Sequence, residues 1–423
     1  KNIRDVNRYL NSLSFGFNLV KDEVNPIDFI AITAIQVFIP SIYKGIKENK
    51  ELFIGIKDSY HDSEDSRKKE TARIELILSQ AEELQPGILK DFLQRLFPRL
   101  ENVGYSHSFL ESWRKKGRIC SPDIFDTYFK LFISKDEISL KEIERILATG
   151  NSEKAFSNEL IKLKDHNKII RFLERMEDYT RDDIPEDNIL PIVSALMDVG
   201  DLFPDGPKGF FTTDTPMRIL RLFYQLTHRF DEHEKRFNIF SEAVNSATRS
   251  IYTIVHEIGV QCQQHGKHGS KEKPEPPEKT TVNSEQLDEL VKLALIKIEE
   301  WAKLGKLEDH NNLLGILYAW RSWGEPSHVA DYVQSLIDSD DGLIKFTKQF
   351  LYDVRSHGMT DHVISIKWKI NLENIESFVN LKDIDTRLRK IQYLPNYCEL
   401  EEKEKLAITT FLDTRDGKIK DRF

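Results

Sequence analysis

Apolar residues recur along most of this chain at the spacing that puts side chains i, i+3 and i+4 on one face of an α-helix. That period predicts helices over residues 28–48, 65–84, 87–96, 106–115, 122–132, 140–149, 152–164 and 167–179. It continues over 186–199, 216–229, 232–244 and 249–264. After a polar gap it returns over 285–304, 311–323, 327–338, 342–356 and 374–379, with a last helix near 401–412. Start signals accompany several of them. Ser139 precedes Leu140 with Glu142 three residues on, a capping-box pattern. Ser121-Pro122 and Thr215-Pro216 each put a capping side chain before a proline. Gly150 and Gly200 stand where helices should stop.

Strand signals are few. Residues 363–370 alternate apolar and polar and read as one strand, or as part of a helix. Residues 202–213 hold two prolines and two glycines, which predicts a loop around a short hairpin at Phe210 and Phe211. Residues 265–284 contain three prolines and no apolar residue except Val282, so they read as a mobile linker or a long surface loop. The helices recur without a fixed period, which leaves a stacked-helix solenoid as an alternative. The expected fold is mainly α: a lid-like segment at 1–60, a helical array at 61–264, a linker at 265–284 and a second helical domain at 285–423.

The opening helix, Asn2 to Asn11, changes this picture. Ile3, Val6, Leu10 and Leu13 share one face, and Arg4 and Arg8 stand one turn apart on another. A full apolar face with no lead-in segment implies that something packs on it. Since the chain starts with Lys rather than Met, we expect a C-terminal region of a larger protein.

Composition narrows the class. The chain has 423 residues, 39% hydrophobic, with 25 Phe, enough for a sizeable core. Charged residues reach 31% and the formal net charge is -9, which argues against a general nucleic-acid surface and leaves only a local basic patch. Cys120, Cys262 and Cys398 are far apart and show no metal-ligand spacing, so a reducing cytoplasm is the simplest compartment. The longest apolar run, residues 29–40, is shorter than the roughly 20 residues that span a bilayer.

Residues 2–11 look like the Arg-rich helix that closes the nucleotide-binding module of KAP-family P-loop NTPases. Val24-Asn25-Pro26-Ile27-Asp28-Phe29-Ile30, then Val37-Phe38-Ile39-Pro40-Ser41-Ile42-Tyr43, then Asn49-Lys50-Glu51-Leu52-Phe53 is similar in order to that family's segment after the ATPase core. A weaker match runs through Leu96-Phe97-Pro98-Arg99-Leu100, Tyr105-Ser106, Trp113, Arg118-Ile119 and Phe125-Asp126-Thr127-Tyr128-Phe129, and fades before Asn151. The likeness thus covers about the first third of the chain. It implies a parent protein that binds ATP and magnesium. It also implies partners: its own N-terminal NTPase module, and a protein or phage-derived trigger, within an oligomer. The family is linked in bacteria to defence against phage and in animals to membrane-linked signalling, so membrane association through another part of the parent is an alternative to a purely cytoplasmic place. The chain departs from the family in lacking the Gly-rich phosphate loop. Gly266-Lys267-His268-Gly269-Ser270-Lys271 has the letters in the wrong order and in a polar stretch. By itself this chain should not hydrolyse ATP.

The resemblance makes Arg4 and Arg8 the candidate nucleotide-sensing residues. A guanidinium keeps its charge and donates two parallel hydrogen bonds to phosphate oxygens. The plainer reading is a solvated face or a salt bridge to Asp5 or Asp22. Other constellations are weaker. His256-Glu257 lacks a second His, because Val260 holds the fourth position after His256. Asp231-Glu232-His233-Glu234 and Asp361-His362 put His beside acids, but neighbours on a helix point apart. His228 and His265 read as packing or surface residues. Asp182, Asp183, Glu186 and Asp187 could hold magnesium for nuclease chemistry, or simply open a helix. Trp113-Arg114-Lys115-Lys116-Gly117-Arg118 could meet nucleic acid, or close a helix. Trp320, Arg321 and Trp323 suit a core or a partner face. The primary expectation is a regulatory and assembly region. A metal-dependent nuclease and a passive helical scaffold are the rivals.

Overall fold

The computed structural model describes residues 2–56, 64–81, 86–101, 105–132, 137–206, 213–357 and 364–419. They are mainly α-helical, with a two-stranded sheet among them. The chain forms two units that share the sequence discontinuously. Unit 1 holds Lys1–Asn188 and Gly206–Gln225, and unit 2 holds Ile189–Asp205 and Leu226–Phe423.

Unit 1 opens with α1 (Ile3–Val20). The Asn2 side chain accepts the Asp5 N–H, and the Asp5 carboxylate accepts the Asn2 N–H, which closes a capping box. In α2 (Pro26–Phe38), the Asn25 side chain caps the N–H groups of Ile27 and Asp28. The single helix expected over 28–48 is two helices. After α2 the chain turns through 119° into α3 (Pro40–Glu48). Pro40 is the cause: it has no N–H to donate, and it drives Ile39 to φ −140°, ψ 65°. With α4 (Glu64–Leu78), α5 (Pro86–Leu96), α6 (His107–Lys115) and α7 (Phe125–Lys130), these helices enclose Phe29, Ile42, Ile46, Phe53, Phe97 and Phe125. Next, α8 (Leu140–Leu147), α9 (Glu153–Asp165) and α10 (Ile169–Met176) pack together over Ile143, Ile146, Phe156 and Phe172. Ser139 caps α8 by accepting the Glu142 N–H at 2.9 Å, as its spacing predicts.

Unit 2 begins with α11 (Ile189–Val199). Helix α12 (Thr215–Thr227) crosses the boundary between the units. Its cap is Asp214, which accepts the Met217 N–H, rather than the expected Thr215. The unit continues through α13 (His233–Ser246), α14 (Tyr252–His265), α15 (Ser284–Lys303), α16 (Leu313–Trp323), α17 (Pro326–Ile337) and α18 (Asp340–Lys348). Strands β1 (Leu351–His357) and β2 (Ile364–Ile370) then form an antiparallel pair with Leu351 opposite Ile370. Last come α19 (Leu372–Glu376), α20 (Leu381–Ile391) and α21 (Glu402–Arg415). Leu313, Ile316, Val333, Phe346, Ile375, Leu388 and Phe411 are at the centre of this core.

Three expectations change here. The helix predicted over 342–356 ends at Lys348, and its last third is β1. That segment has no strand pattern of its own; its pairing with β2 decides its state. Residues 265–284 do not separate the two units, because they lie within unit 2 and are fastened to it. Gly266, at φ 60°, closes α14 in the left-handed conformation that Gly200 was expected to supply at the end of α11. Lys267 and His268 both reach Asp288, the Glu275 N–H donates to the Gln264 carbonyl at 2.7 Å, and Thr281 and Val282 are fully buried. Finally, α20 answers to none of the predicted helices. The hairpin expected at Phe210 and Phe211 lies outside the described residues.

Candidate functional site

Helix α1 divides its apolar residues between packing and exposure. Tyr9, Leu13, Phe17 and Val20 turn toward α2 and the core: the Tyr9 hydroxyl donates to the Ile30 carbonyl, Phe17 lies 5.6 Å from Phe29, and Val20 is buried. Ile3, Val6 and Leu10, at the N-terminal end, are exposed, Ile3 by 80%. A second exposed strip carries Arg4, Arg8, Phe15 and Leu19 at helical spacing, and Ile27 and Ile30 of α2 are exposed as well. Arg4 and Arg8 have no ion pair or hydrogen bond among the described residues. The acids that could have neutralised them are engaged elsewhere. Asp5 serves the cap, and Asp22 lies 3.5 Å from Lys141.

The turn after α1 is tied into the rest of unit 1. Glu23 is buried, and its Oε2 accepts the N–H of Leu140, the first residue of α8, at 3.0 Å. Its Oε1 has no hydrogen-bond partner among the described residues. Burial pushes this carboxyl up to about 7, against the opposing pull of the Leu140 N–H, the Ser139 hydroxyl and Arg175. Beside it the Asn25 N–H meets both the Gly117 carbonyl at 2.8 Å and the Tyr128 hydroxyl at 2.9 Å. Gly117 sits at φ 61°, where a Cβ would come within 2.8 Å of the Glu23 carbonyl oxygen, so glycine alone suits this position. Asp28 accepts from Arg118 Nε at 2.6 Å and from the Ile119 N–H at 3.0 Å. A cleft of about 400 Å³ opens between Leu19 and Glu23 on one side and Ser139, Lys141 and Arg145 on the other.

Behind this joint is a cluster of buried charge that sequence reasoning missed. Arg175 of α10 is 4% exposed, its Nε has no partner, and it makes no ion pair among the described residues. Arg114 reaches Asp123 at 3.2 Å and Asp178 at 3.0 Å. Arg171 grips Glu137 with two hydrogen bonds of 2.8 and 2.6 Å and holds Glu174, which also accepts from Arg218. Burial lifts the Asp178 carboxyl to about 6, although Arg114 and Arg175 act against it. The Tyr179 hydroxyl is buried without a partner among the described residues. Arg175, Asp178 and Arg218 are buried, and charges withdrawn from water interact more strongly than the half-exposed ones around them. The arginines were legible in the sequence, but their convergence from α6, α10 and α12 was not.

The remaining candidates have ordinary structural roles. Trp113 is in the core, while Arg114, Lys115 and Arg118 each have a carboxylate partner, Lys115 meeting Asp183 at 2.5 Å. The proposed magnesium acids Asp182, Asp183, Glu186 and Asp187 are exposed. His256 Nδ1 lies 3.7 Å from the fully buried Glu257. His233 bonds to the carbonyls of Pro277 and Thr280, and His265 to that of Val282. Trp320 is in the unit 2 core, and Arg321 stacks on Phe378 at 4.4 Å. Asp361 and His362 lie outside the described residues. Among the described residues no three His, Cys, Asp or Glu side chains gather so as to hold a metal ion, and no single helix is long and apolar enough to cross a membrane. In comparisons with protein-family models, curated proteins and solved structures, nothing matches this chain.

Proposed function

We propose that this chain is the regulatory and assembly region of a KAP-type P-loop NTPase of bacterial phage defence. It would act on a nucleotide-binding module of the same protein. The observation that supports this most is the uncovered face of α1, where Ile3, Val6 and Leu10 are exposed beside two arginines without partners among the described residues. An apolar strip flanked by unpaired guanidinium groups complements a protein surface that presents phosphate oxygens. In this reading ATP and magnesium belong to the partner module. Arg4 and Arg8 reach toward the γ-phosphate, and its loss on hydrolysis removes their acceptors. The movement of α1 then passes through Glu23 to the first turn of α8, and through the buried charges to α10. A phage-derived trigger or a protein partner would bias the same helices.

The test is binding of a separately produced KAP-type nucleotide module to this chain, with ATP analogue and with ADP. The reading expects tighter binding in one nucleotide state, and loss of that difference in an Arg4→Ala, Arg8→Ala variant. Equal binding in both states would indicate a passive scaffold. No binding in either state refutes the reading.

A further inference from the structure

The segment after α14 reads Lys271-Glu272-Lys273-Pro274-Glu275-Pro276-Pro277-Glu278-Lys279. Proline fixes its own φ near −65° and forces the residue before it to be extended. Lys273, Glu275 and Pro276 each precede a proline, so the local chemistry favours an extended, polyproline II-like path over Lys273–Pro276. Pro276 has φ −59°, ψ 145°, within that region. A polyproline II path has three residues per turn, which places Pro274 and Pro277 on one edge; Lys271 stands before a bend at Glu272, and Pro277 opens a short 3-10 turn that runs to Lys279. Every residue from 271 to 279 is exposed.

The strip is exposed but not loose. The Glu275 N–H holds the Gln264 carbonyl, His233 Nε2 meets the Pro277 carbonyl at 3.0 Å, and the following Thr280 and Thr281 are buried. A segment already held in its extended form loses little conformational freedom when a partner binds it. Its charges also indicate an orientation. Lys279 pairs with Glu275 at 3.5 Å, whereas Lys271 has no ion pair among the described residues.

We infer that Lys271–Pro277 is a docking strip for a partner domain whose groove is walled by parallel aromatic side chains. Pro274 and Pro277 fill successive slots between the rings, and Lys271 meets an acidic residue at the groove's end. This surface is separate from α1 and holds whether or not the nucleotide reading does.

The intact chain is titrated against a panel of purified polyproline-binding domains of the SH3 and WW types, following each domain's own groove tryptophan. Subtracting the signal of the chain alone removes its background. The expected result is saturable binding by at least one domain, weakened about tenfold or more by Pro274→Ala with Pro277→Ala. Lys271→Glu should weaken it less, and remove most of its salt dependence. These positions are on the surface, so far-UV circular dichroism and the melting temperature should stay unchanged and certify the fold. Two outcomes overturn the inference. One is a panel in which no domain binds the wild-type chain better than the double alanine variant. The other is a free peptide of residues 268–281 that binds while the intact chain does not, since the strip would then be inaccessible.

Discussion

Replacing Glu23 by Gln should remove a pH dependence of stability that the wild-type chain carries. The carboxyl is buried with one oxygen on the Leu140 N–H and the other without a partner, and burial lifts it from its ordinary 4.5 to about 7. The folded state therefore binds a proton that the unfolded state has released. Stability from this group is fully present below about pH 4.5 and is lost as the pH rises through 7. Between pH 5.5 and 8 the loss comes to about 2 kcal/mol by proton linkage. Asp178, lifted to about 6, has the same sign and adds to the lower part of that window. Carboxylates held low, such as Asp198 and Asp201, lose their contribution only under acid conditions. The Gln carbonyl can still accept the Leu140 N–H, so the helix start is preserved while the titration disappears. Trp113 is the single tryptophan of unit 1, so urea unfolding of that unit can be followed by the ¹⁹F signal of fluorotryptophan at this position. The variant should lie closer to wild type at pH 5.5 than at pH 8, where it should be the more stable of the two. An identical pH slope in both proteins would refute the reasoning.

Two further substitutions probe the frame around the sites. Gly117→Ala combines a φ of 61° with a Cβ 2.8 Å from the Glu23 carbonyl oxygen, and should cost about 1–3 kcal/mol in the same ¹⁹F assay; a change below a few tenths would mean that the turn relaxes freely. Asp201 accepts the N–H groups of Ile251, Tyr252 and Thr253, the Thr253 hydroxyl and His310 Nε2, so Asp201→Ala should destabilise unit 2 by about 3–5 kcal/mol. The unit 2 tryptophan signals report that loss, and unfolding of unit 2 at the wild-type urea concentration would contradict it.

Most helices could be read from the chain because their information is local. Leu140, Ile143 and Ile146 repeat at helical spacing behind Ser139, and the structure puts all three inside with Ser139 as the cap. The break at Pro40 and the helix at 381–391 were missed, although their signals are local too. A proline interrupts the first, and Leu381, Ile384, Leu388 and Ile391 follow Asn380 in the second. The strand β1 was not predicted, because its own residues show no clear alternation and pairing with the neighbouring β2 sets its state. Residues 265–284 misled for a similar reason. Their polarity suggests solvent, yet Thr281 and the loop backbone find partners on α14 that only the folded chain supplies.

By itself, the sequence determined the mainly helical class, the Ser139 cap, the apolar face of α1 and the proline spacing after α14. Each depends on residues a few positions apart, where backbone geometry alone sets the spacing. The tertiary structure decided the discontinuous division into two units, the hold of Glu23 on α8, and the gathering of Arg175, Arg218 and Asp178 away from water. These depend on which distant segments share a core, and on a carboxyl's energy once water is gone. Local periodicity carries neither.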